Sequence, residues 1–140
     1  MTKLFDTTKI KGLSMPNRFI RSATYEGMAN PDGSVSPLLI DTMVKLAEGG
    51  VALIITGISS PHKDGRILPL QLEAHSDDML PGLSQMTNAV HEAGGRIAME
   101  IAHGGAQTTS ELIGQTPMGP SGMHGDQGFK CREMTLEEIG

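Results

Sequence analysis

Apolar and polar residues follow the same succession twice along this chain: an amphipathic stretch, a Gly-Gly pair and a short, mostly apolar run. The first copy ends with Gly49-Gly50 and residues 51–56, and the second ends with Gly94-Gly95 and residues 96–101. The two Gly-Gly pairs are 45 residues apart, which is the length of one unit of helix and strand. The repeat predicts strands that alternate with helices, and this order favours a parallel α/β architecture.

Apolar spacing and cap residues set the expected bounds of the two helices. The first begins after Ser36, an N-cap residue followed by proline, and keeps apolar residues at i, i+3 and i+4 until Gly49. The second begins at Ser76, because the two aspartates that follow suit the positive end of a helix dipole, and it ends at Gly94. Residues 51–56 are mostly apolar, as expected of a strand that is covered on both faces.

The remaining segments carry weaker signals. Residues 4–16 suggest a short hairpin, residues 18–23 a first strand, and residues 104–132 a long loop rich in glycine and proline. Thr135 and Glu138 have the spacing of a capping box, which opens a helix only two residues before the end of the chain. We therefore expect the N-terminal part of a larger repeating α/β protein. The pattern alone fits both a doubly wound sheet and a barrel.

Composition and charge narrow the possible functions. The net charge of −5 is spread over 140 residues without a basic block, which argues against a nucleic-acid partner. The single cysteine, Cys131, rules out an internal disulfide and is typical of a reducing compartment. The longest apolar run, residues 51–55, is too short to span a membrane, and the N-terminus lacks the apolar core of a signal peptide. We expect a soluble, cytoplasmic protein without a membrane partner.

The residues at the ends of the three predicted strands carry the candidate chemistry. Parallel α/β proteins place their functional groups at the carboxyl ends of strands. Here those ends are residues 22–25, 56–59 and 100–105, which combine small residues and hydroxyls with the carboxylate of Glu100. Such a combination is typical of a pocket for a flat cofactor. The alternative is that the glycines only relieve crowding where strands turn into loops.

Short motifs are distributed along the whole chain. They are Leu4-Phe5, Asn17-Arg18-Phe19-Ile20-Arg21-Ser22-Ala23-Thr24, Asp32-Gly33, Leu53-Ile54-Ile55-Thr56-Gly57, Gly65-Arg66, Ile101-Ala102-His103-Gly104-Gly105, Gly119-Pro120-Ser121 and Met134-Thr135-Leu136-Glu137-Glu138-Ile139. Their order and spacing resemble the old yellow enzyme family of FMN-dependent ene-reductases, also called NADH:flavin oxidoreductases. The resemblance implies a (β/α)8 TIM barrel. Residues 1–140 would form the N-terminal portion of this FMN-binding domain, about three βα units preceded by a short hairpin.

The resemblance assigns a cofactor-binding role to residues at all three strand ends. They are Ser22, Ala23, Thr24 and Tyr25 after the first strand, Gly57 and Ile58 at the second, and Glu100 at the third. Tyr25 stands where the family usually has a Thr or Cys that tunes the redox potential of the flavin. Glu100 stands where the family usually has a Gln that reaches the pyrimidine edge of the flavin. A carboxylate there can accept from the flavin N3–H but cannot donate to O2, and its charge opposes negative charge on the ring.

A structural alternative for Glu100 is an ion pair with a basic residue outside this span. No catalytic residue is expected within residues 1–140, because the family's His-x-x-His or His-x-x-Asn pair follows the next strand. His103 matches a family histidine and is expected to support its loop. The other histidines lack the spacing of metal ligands, so we expect solvated side chains and no metal site. They are His62, His75, His91 and His124.

The implied function is that of an NAD(P)H:flavin oxidoreductase of the old yellow enzyme type. FMN, reduced by NADH or NADPH, would pass a hydride to an activated alkene or a related small-molecule acceptor; a homo-oligomeric state is possible. Two alternatives remain open: a TIM-barrel lyase or isomerase without flavin, and a truncated, non-catalytic subunit or remnant. Residues 1–140 alone are expected to be inactive. We also expect Ile54, Met99 and Ile101 to point into the barrel.

Overall fold

The computed structural model describes residues 3–124 and 130–139; of residues 123 and 124 it describes the backbone only. The strands are β1 (Thr8–Ile10), β2 (Leu13–Met15), β3 (Ile20–Arg21), β4 (Leu53–Ser60), β5 (Leu72–Glu73), β6 (Ile97–Ile101), β7 (Met118–Gly119), β8 (Met123–His124) and β9 (Lys130–Glu133). The helices are α1 (Pro37–Glu48), α2 (Leu80–Glu92), α3 (Ser110–Ile113) and α4 (Leu136–Ile139).

The main sheet consists of the parallel strands β3, β4 and β6, in chain order, with the short β5 added at the carboxyl end of β4. Because the strands are added in one direction, the two crossover helices lie on the same face of the sheet. Side chains of α1 and α2 form one buried cluster with Ile54 of β4. A doubly wound sheet has helices on both faces, so this arrangement favours consecutive units of a barrel.

The hydrophobic core lies between the sheet and the two helices. Ile54 is fully buried there, and Ile97 and Met99 of β6 pack against the same cluster. The other buried members of the cluster are Leu39, Met43, Ala47, Leu72, Met86 and Val90. Burial of these side chains against the sheet is the main stabilising contribution that the described residues make.

The opposite face of the sheet is more open. Residues that pair across parallel strands point to the same side, and one set of pairs points away from the helices. This set is Ile20 with Leu53, Ile55 with Ala98, and Ile58 with Glu100. Its members are partly buried or exposed, whereas Ile54 on the other side has no exposed surface. We call this set the open face.

The expected orientation of three side chains was wrong. Ile54 and Met99 point towards the helices and not into the barrel. Ile101 lies on the same side of β6 as Met99, beyond the helices, and is 63% exposed. The sequence could not show this, because a mostly apolar strand has no alternation that marks which side faces which layer.

The predicted helices are confirmed, with shifts at some ends. Ser36 caps α1 as expected, since its side chain accepts a hydrogen bond from the Leu39 amide at 3.1 Å. α2 begins at Leu80 and not at Ser76, because residues 77–79 form a turn of 3₁₀-helix and Ser76 makes no side-chain cap. The predicted first strand is shorter, and the predicted second strand begins and ends later.

The N-terminal hairpin and the C-terminal capping box are both present. β1 and β2 pair antiparallel, with Thr8 opposite Met15. At the other end, the Thr135 amide donates to Glu138 Oε2 at 2.9 Å, and the Glu138 amide donates to Thr135 Oγ1 at 3.3 Å. Hydrogen bonds from Arg132 and Thr135 lower the pKa of Glu138 to about 2.

The expectation of one long loop over residues 104–132 was wrong in part. This region contains the single turn α3 and a small sheet in the order β7-β9-β8, in which β9 is the central strand. Its elements are two to four residues long. Elements of this length contain too few residues to show a helical or strand period in the sequence.

None of the helices in the described ranges is long and apolar enough to cross a membrane.

We predict that a polypeptide of residues 1–140, expressed alone, is molten, oligomeric or aggregated. Its open face and the outer edges of β3 and β6 would remain in contact with water and favour association. Gel filtration with light scattering measures the oligomeric state of the polypeptide, and binding of a hydrophobic dye measures its exposed apolar surface. A monomer with a sharp, cooperative thermal transition would contradict the assignment to part of a barrel.

Candidate functional site

The three predicted strand ends meet at one edge of the sheet. β3, β4 and β6 run parallel, so their carboxyl ends lie side by side, with residues 22–25 directly after β3. Ile58 of β4 is paired with Glu100 of β6, and both belong to the open face. The structure therefore brings together the segments that the sequence analysis selected.

A bulge in β4 places Ile58 beside Glu100. Between the pairs Ile55–Ala98 and Ile58–Glu100, β4 advances by three residues while β6 advances by two. The extra residue turns Ile58 to the side of the sheet that Ile55 also faces. The hydroxyl of Thr56 stabilises the bulge, because it accepts from the Glu100 amide at 3.3 Å and donates to the Gly57 carbonyl at 2.8 Å.

Glu100 is the one carboxylate on the open face. Its residue is exposed, and within the described ranges its carboxylate has neither an ion pair nor a hydrogen bond. A carboxylate at the end of a parallel strand can accept hydrogen bonds from an N–H group of a ligand. This chemistry matches the role that the family resemblance assigns to position 100.

The hydroxyl of Tyr25 makes a hydrogen bond within the protein. The phenol O–H donates to the carbonyl of Pro69, in the loop that follows β4. Gly27, with φ of +63°, lies under the ring, and a Cβ at that position would be 3.1 Å from the Tyr25 hydroxyl. The ring is therefore fixed by contacts on two sides, while the residue remains partly exposed at 39%.

The space where a side chain of Gly57 would stand is filled by other residues of the protein. A Cβ on Gly57 would lie 2.3 Å from Glu26 Oε2 and 2.7 Å from the Thr24 carbonyl oxygen. A glycine is required here because the segment after β3 crosses so closely over β4. This observation supports crowding as one reason for the glycine, and Gly57 is buried.

The sequence analysis missed the ion pair that lies next to this crossing. Arg21 Nη2 is 2.7 Å from Glu26 Oε1, and both side chains are mostly buried. The two residues are separated by an irregular segment, so no helical or strand spacing relates them in the sequence. The only signal in the sequence was that two residues of opposite charge flank the candidate segment of residues 22–25.

A second buried cluster lies outside the strand ends, beside a cavity of about 600 Å³. Arg66 Nε is 2.5 Å from Glu73 Oε1, and His75 Nδ1 is 2.7 Å from Glu73 Oε2. The Glu73 and His75 side chains are only 4% and 9% exposed. The expectation that His75 is solvated was therefore wrong, because β5 draws Glu73 and its neighbours into the core.

The turn of residues 30–33 packs against this cluster. The Gly33 amide donates to the Asn30 carbonyl at 2.9 Å, and this hydrogen bond closes the turn. Gly33 has φ of +83°, and a Cβ there would lie 2.6 Å from Glu73 Cγ, so only glycine fits. Hydrogen bonds from the Ser34 hydroxyl and amide lower the pKa of Asp32 in the same turn.

The remaining histidines agree with the expected roles as far as the structure describes them. His103 Nδ1 accepts from the Gly105 amide at 3.0 Å, which supports the loop after β6. His62 and His91 are exposed, and the side chain of His124 lies outside the described part of the chain. In the described ranges, no group of His, Cys, Asp and Glu side chains could hold a metal ion.

The family model described as "NADH:flavin oxidoreductase / NADH oxidase family" matches residues 3–140. The chain belongs to this family. FMN and a nicotinamide reductant, both expected from the motifs, are the cofactors of this family.

Similar curated proteins include the NADH oxidase of Thermoanaerobacter brockii, 37% identical over 97% of this chain and 21% of the relative. The NADPH dehydrogenase of Halalkalibacterium halodurans is 32% identical over 98% of this chain and 40% of the relative. The chain thus spans about a fifth to two fifths of the length of the curated relatives that it matches.

Solved structures confirm the fold that was predicted. The old yellow enzyme homologue from Zymomonas mobilis superposes with a TM-score of 0.83 at 26% identity, over 99% of this chain and 41% of that chain. A 2-naphthoyl-CoA reductase in complex with 2-naphthoyl-CoA superposes with a TM-score of 0.88 at 25% identity, over 97% and 23%. The architecture is therefore that of the N-terminal part of a TIM barrel.

We predict that Glu73→Gln destabilises the protein by about 3 kcal/mol. It removes the negative charge on which the largely buried Arg66 depends, and breaking a buried pair costs that order of free energy. The measurement is urea unfolding of the product of the intact gene. Asp41→Asn, in the exposed pair with Lys45, is the control and should change the free energy of unfolding by less than about 1 kcal/mol. Equal effects of the two substitutions would refute the prediction.

Proposed function

We propose that the protein carrying this chain is an FMN-dependent oxidoreductase. It takes a hydride from NADH or NADPH and delivers it to an activated alkene or a related small-molecule acceptor. The observation that carries the proposal is the carboxylate of Glu100, which has no ion pair within the described residues and lies on the open face where three parallel strands end, in a chain of the flavin oxidoreductase family. Residues 1–140 form the N-terminal portion of its FMN-binding TIM-barrel domain.

The side chains at the strand ends fit a flavin ring. Ser22, Thr24 and Tyr25 are exposed after β3, so this segment is accessible to a ligand. Ile58 offers an apolar contact on the open face, beside Glu100. Bound FMN supplies the hydride chemistry, and the protein's contribution is to bind, orient and set the charge around it.

We propose a distinct part for each element of the site. Backbone groups of Ser22, Ala23, Thr24 and Tyr25 would contact the flavin, together with Gly57 and Ile58 of β4. Glu100 accepts the hydrogen bond of the pyrimidine N3–H. Its negative charge then disfavours further negative charge on the ring. The group that donates a proton to the substrate lies outside this span.

The printed names of the relatives guide the choice of acceptor only as far as its class. They include an NADH oxidase, NADPH dehydrogenases, a 4,4'-dithiodibutanoate disulfide reductase and a 2-naphthoyl-CoA reductase. Two of these names give an acceptor that is reduced and the others give only the nicotinamide donor, so together they do not point to one substrate. We place the protein in the cytoplasm, which the single cysteine supports.

We predict that the product of the intact gene is yellow when purified and shows the absorbance spectrum of a flavin. The polypeptide of residues 1–140 should bind added FMN weakly, because the family's phosphate-binding strands come later in the barrel. Absorbance measures the flavin content of the purified protein, and fluorescence titration with FMN measures the affinity of the polypeptide of residues 1–140. A colourless product of the intact gene that takes up no added FMN would refute the proposal.

We predict that Glu100→Gln raises the flavin midpoint potential by tens of millivolts. One unit charge a few ångströms from the ring is worth on the order of a few kcal/mol at an effective dielectric of ~20, before screening. For a two-electron couple, about 1.4 kcal/mol corresponds to roughly 30 mV. The measurement is a redox titration of the FMN-loaded protein.

The matched control for this titration is Glu92→Gln. Glu92 is an exposed carboxylate at the end of α2, away from the open face, and its loss should leave the potential unchanged. If Glu100→Gln also leaves the potential unchanged, Glu100 is neutralised or turned away from the flavin, and its assigned role is wrong.

A further inference from the structure

Arg21 and Glu26 form a mostly buried ion pair behind the segment assigned to the cofactor. The atoms Arg21 Nη2 and Glu26 Oε1 are 2.7 Å apart, and the two side chains are 18% and 11% exposed. Oε1 receives no aligned hydrogen bond within the described residues, so the contact is electrostatic. Buried charges are tolerated only when they are compensated, so each of these residues depends on the other.

The guanidinium group of Arg21 also holds two stretches of backbone. Nη1 donates to the Ile55 carbonyl at 2.9 Å, and Nη2 donates to the Thr24 carbonyl at 3.3 Å. One side chain thus joins β3, β4 and the segment that follows β3. The ladder between β3 and β4 ends at Arg21, so the position of residues 22–25 depends on contacts of this kind.

Glu26 completes the attachment on the other side of the segment. Its Oε2 lies against the Cα of Gly57, where a Cβ would be only 2.3 Å away. The carboxylate is therefore wedged between Arg21 and the bulge of β4. Any change in its charge or position acts on Thr24 through Arg21 and on Gly57 directly.

We infer that Arg21 and Glu26 are positioning residues for the flavin site. They hold residues 22–25 against β4, in the conformation that presents the backbone amides of this segment to the cofactor. Neither residue contacts the cofactor itself; both act through Thr24 and Gly57. The inference rests on the proposed function, because it requires that residues 22–25 contact FMN.

A purely structural ion pair would behave differently from a positioning pair. It would lower the thermal stability of the protein but leave the FMN affinity of the folded molecules unchanged. A positioning pair changes the FMN affinity and the rate of proteolytic cleavage after Tyr25, even where the rest of the fold is intact. Both quantities can be measured without assaying activity.

The test compares Arg21→Met, Glu26→Gln and Arg21→Lys in the product of the intact gene. FMN dissociation constants are measured by fluorescence titration, and the mobility of residues 22–27 by limited chymotryptic cleavage after the exposed Tyr25 in the apoprotein. We expect Arg21→Met and Glu26→Gln to weaken FMN binding about tenfold, the effect of losing a charge-assisted contact. Cleavage after Tyr25 should become faster, while the circular dichroism of the folded protein is kept. Arg21→Lys keeps the charge but not the fork of donors, so its effects should be intermediate.

The control is Glu138→Gln, which breaks the exposed Arg132–Glu138 pair with its closest contact of 2.6 Å. The substitution also neutralises a carboxylate of an ion pair with an arginine, but outside residues 22–27, and should leave FMN binding unchanged. If a single variant does not fold, the double variant Arg21→Met with Glu26→Gln removes both charges together. It should fold, because no unpaired charge remains, and should still bind FMN about tenfold more weakly.

The outcomes separate this inference from the proposed function. If the wild-type protein binds FMN and all Arg21 and Glu26 variants bind it within twofold of wild type, the positioning role is overturned and the proposed function stands. If the wild-type protein binds no FMN, both fail. Weakened binding with faster cleavage after Tyr25, and an unaffected control, establishes the positioning role.

Discussion

Parallel pairing of β4 with β3 on one side and β6 on the other is the interaction on which the rest of the structure depends. The pairing brings three carboxyl ends to one edge. It also places both helices on one face, because successive crossovers have the same hand. The core between Ile54 and the helices then fixes which side of the sheet is closed. The open face and its carboxylate follow from that choice.

The bulge in β4 is the local feature that arranges residues of this sheet into the candidate cofactor site. It turns Ile58 towards Glu100 and brings Gly57 under the segment that follows β3. Bulges of this kind redirect side chains at sheet ends, where binding sites are common. The glycine at position 57 admits Glu26 and Thr24, so the bulge and the ion pair of Arg21 belong to one arrangement.

Three glutamates of this protein occupy two contrasting environments. Glu26 and Glu73 are largely buried, and each lies within an ion-pair distance of an arginine. Glu100 is exposed on the open face and has no such partner within the described residues. Buried carboxylates stabilise the loops only while they are paired, whereas the charge of Glu100 remains available to a ligand. This contrast separates the residues that shape the site from the residue that we assign to the cofactor.

The sequence by itself determined the order of the main strands and helices, the cap of α1 at Ser36, the N-terminal hairpin and the family. These depend on local spacing, on cap chemistry and on short motifs, all of which can be read from the sequence alone. Only the tertiary structure decided that Ile54 points to the helices, that β4 carries a bulge, and that Arg21 meets Glu26. It also decided that His75 is buried beside Glu73. The physical reason is that a mostly apolar strand does not show which side it buries, and contacts across an irregular segment have no period.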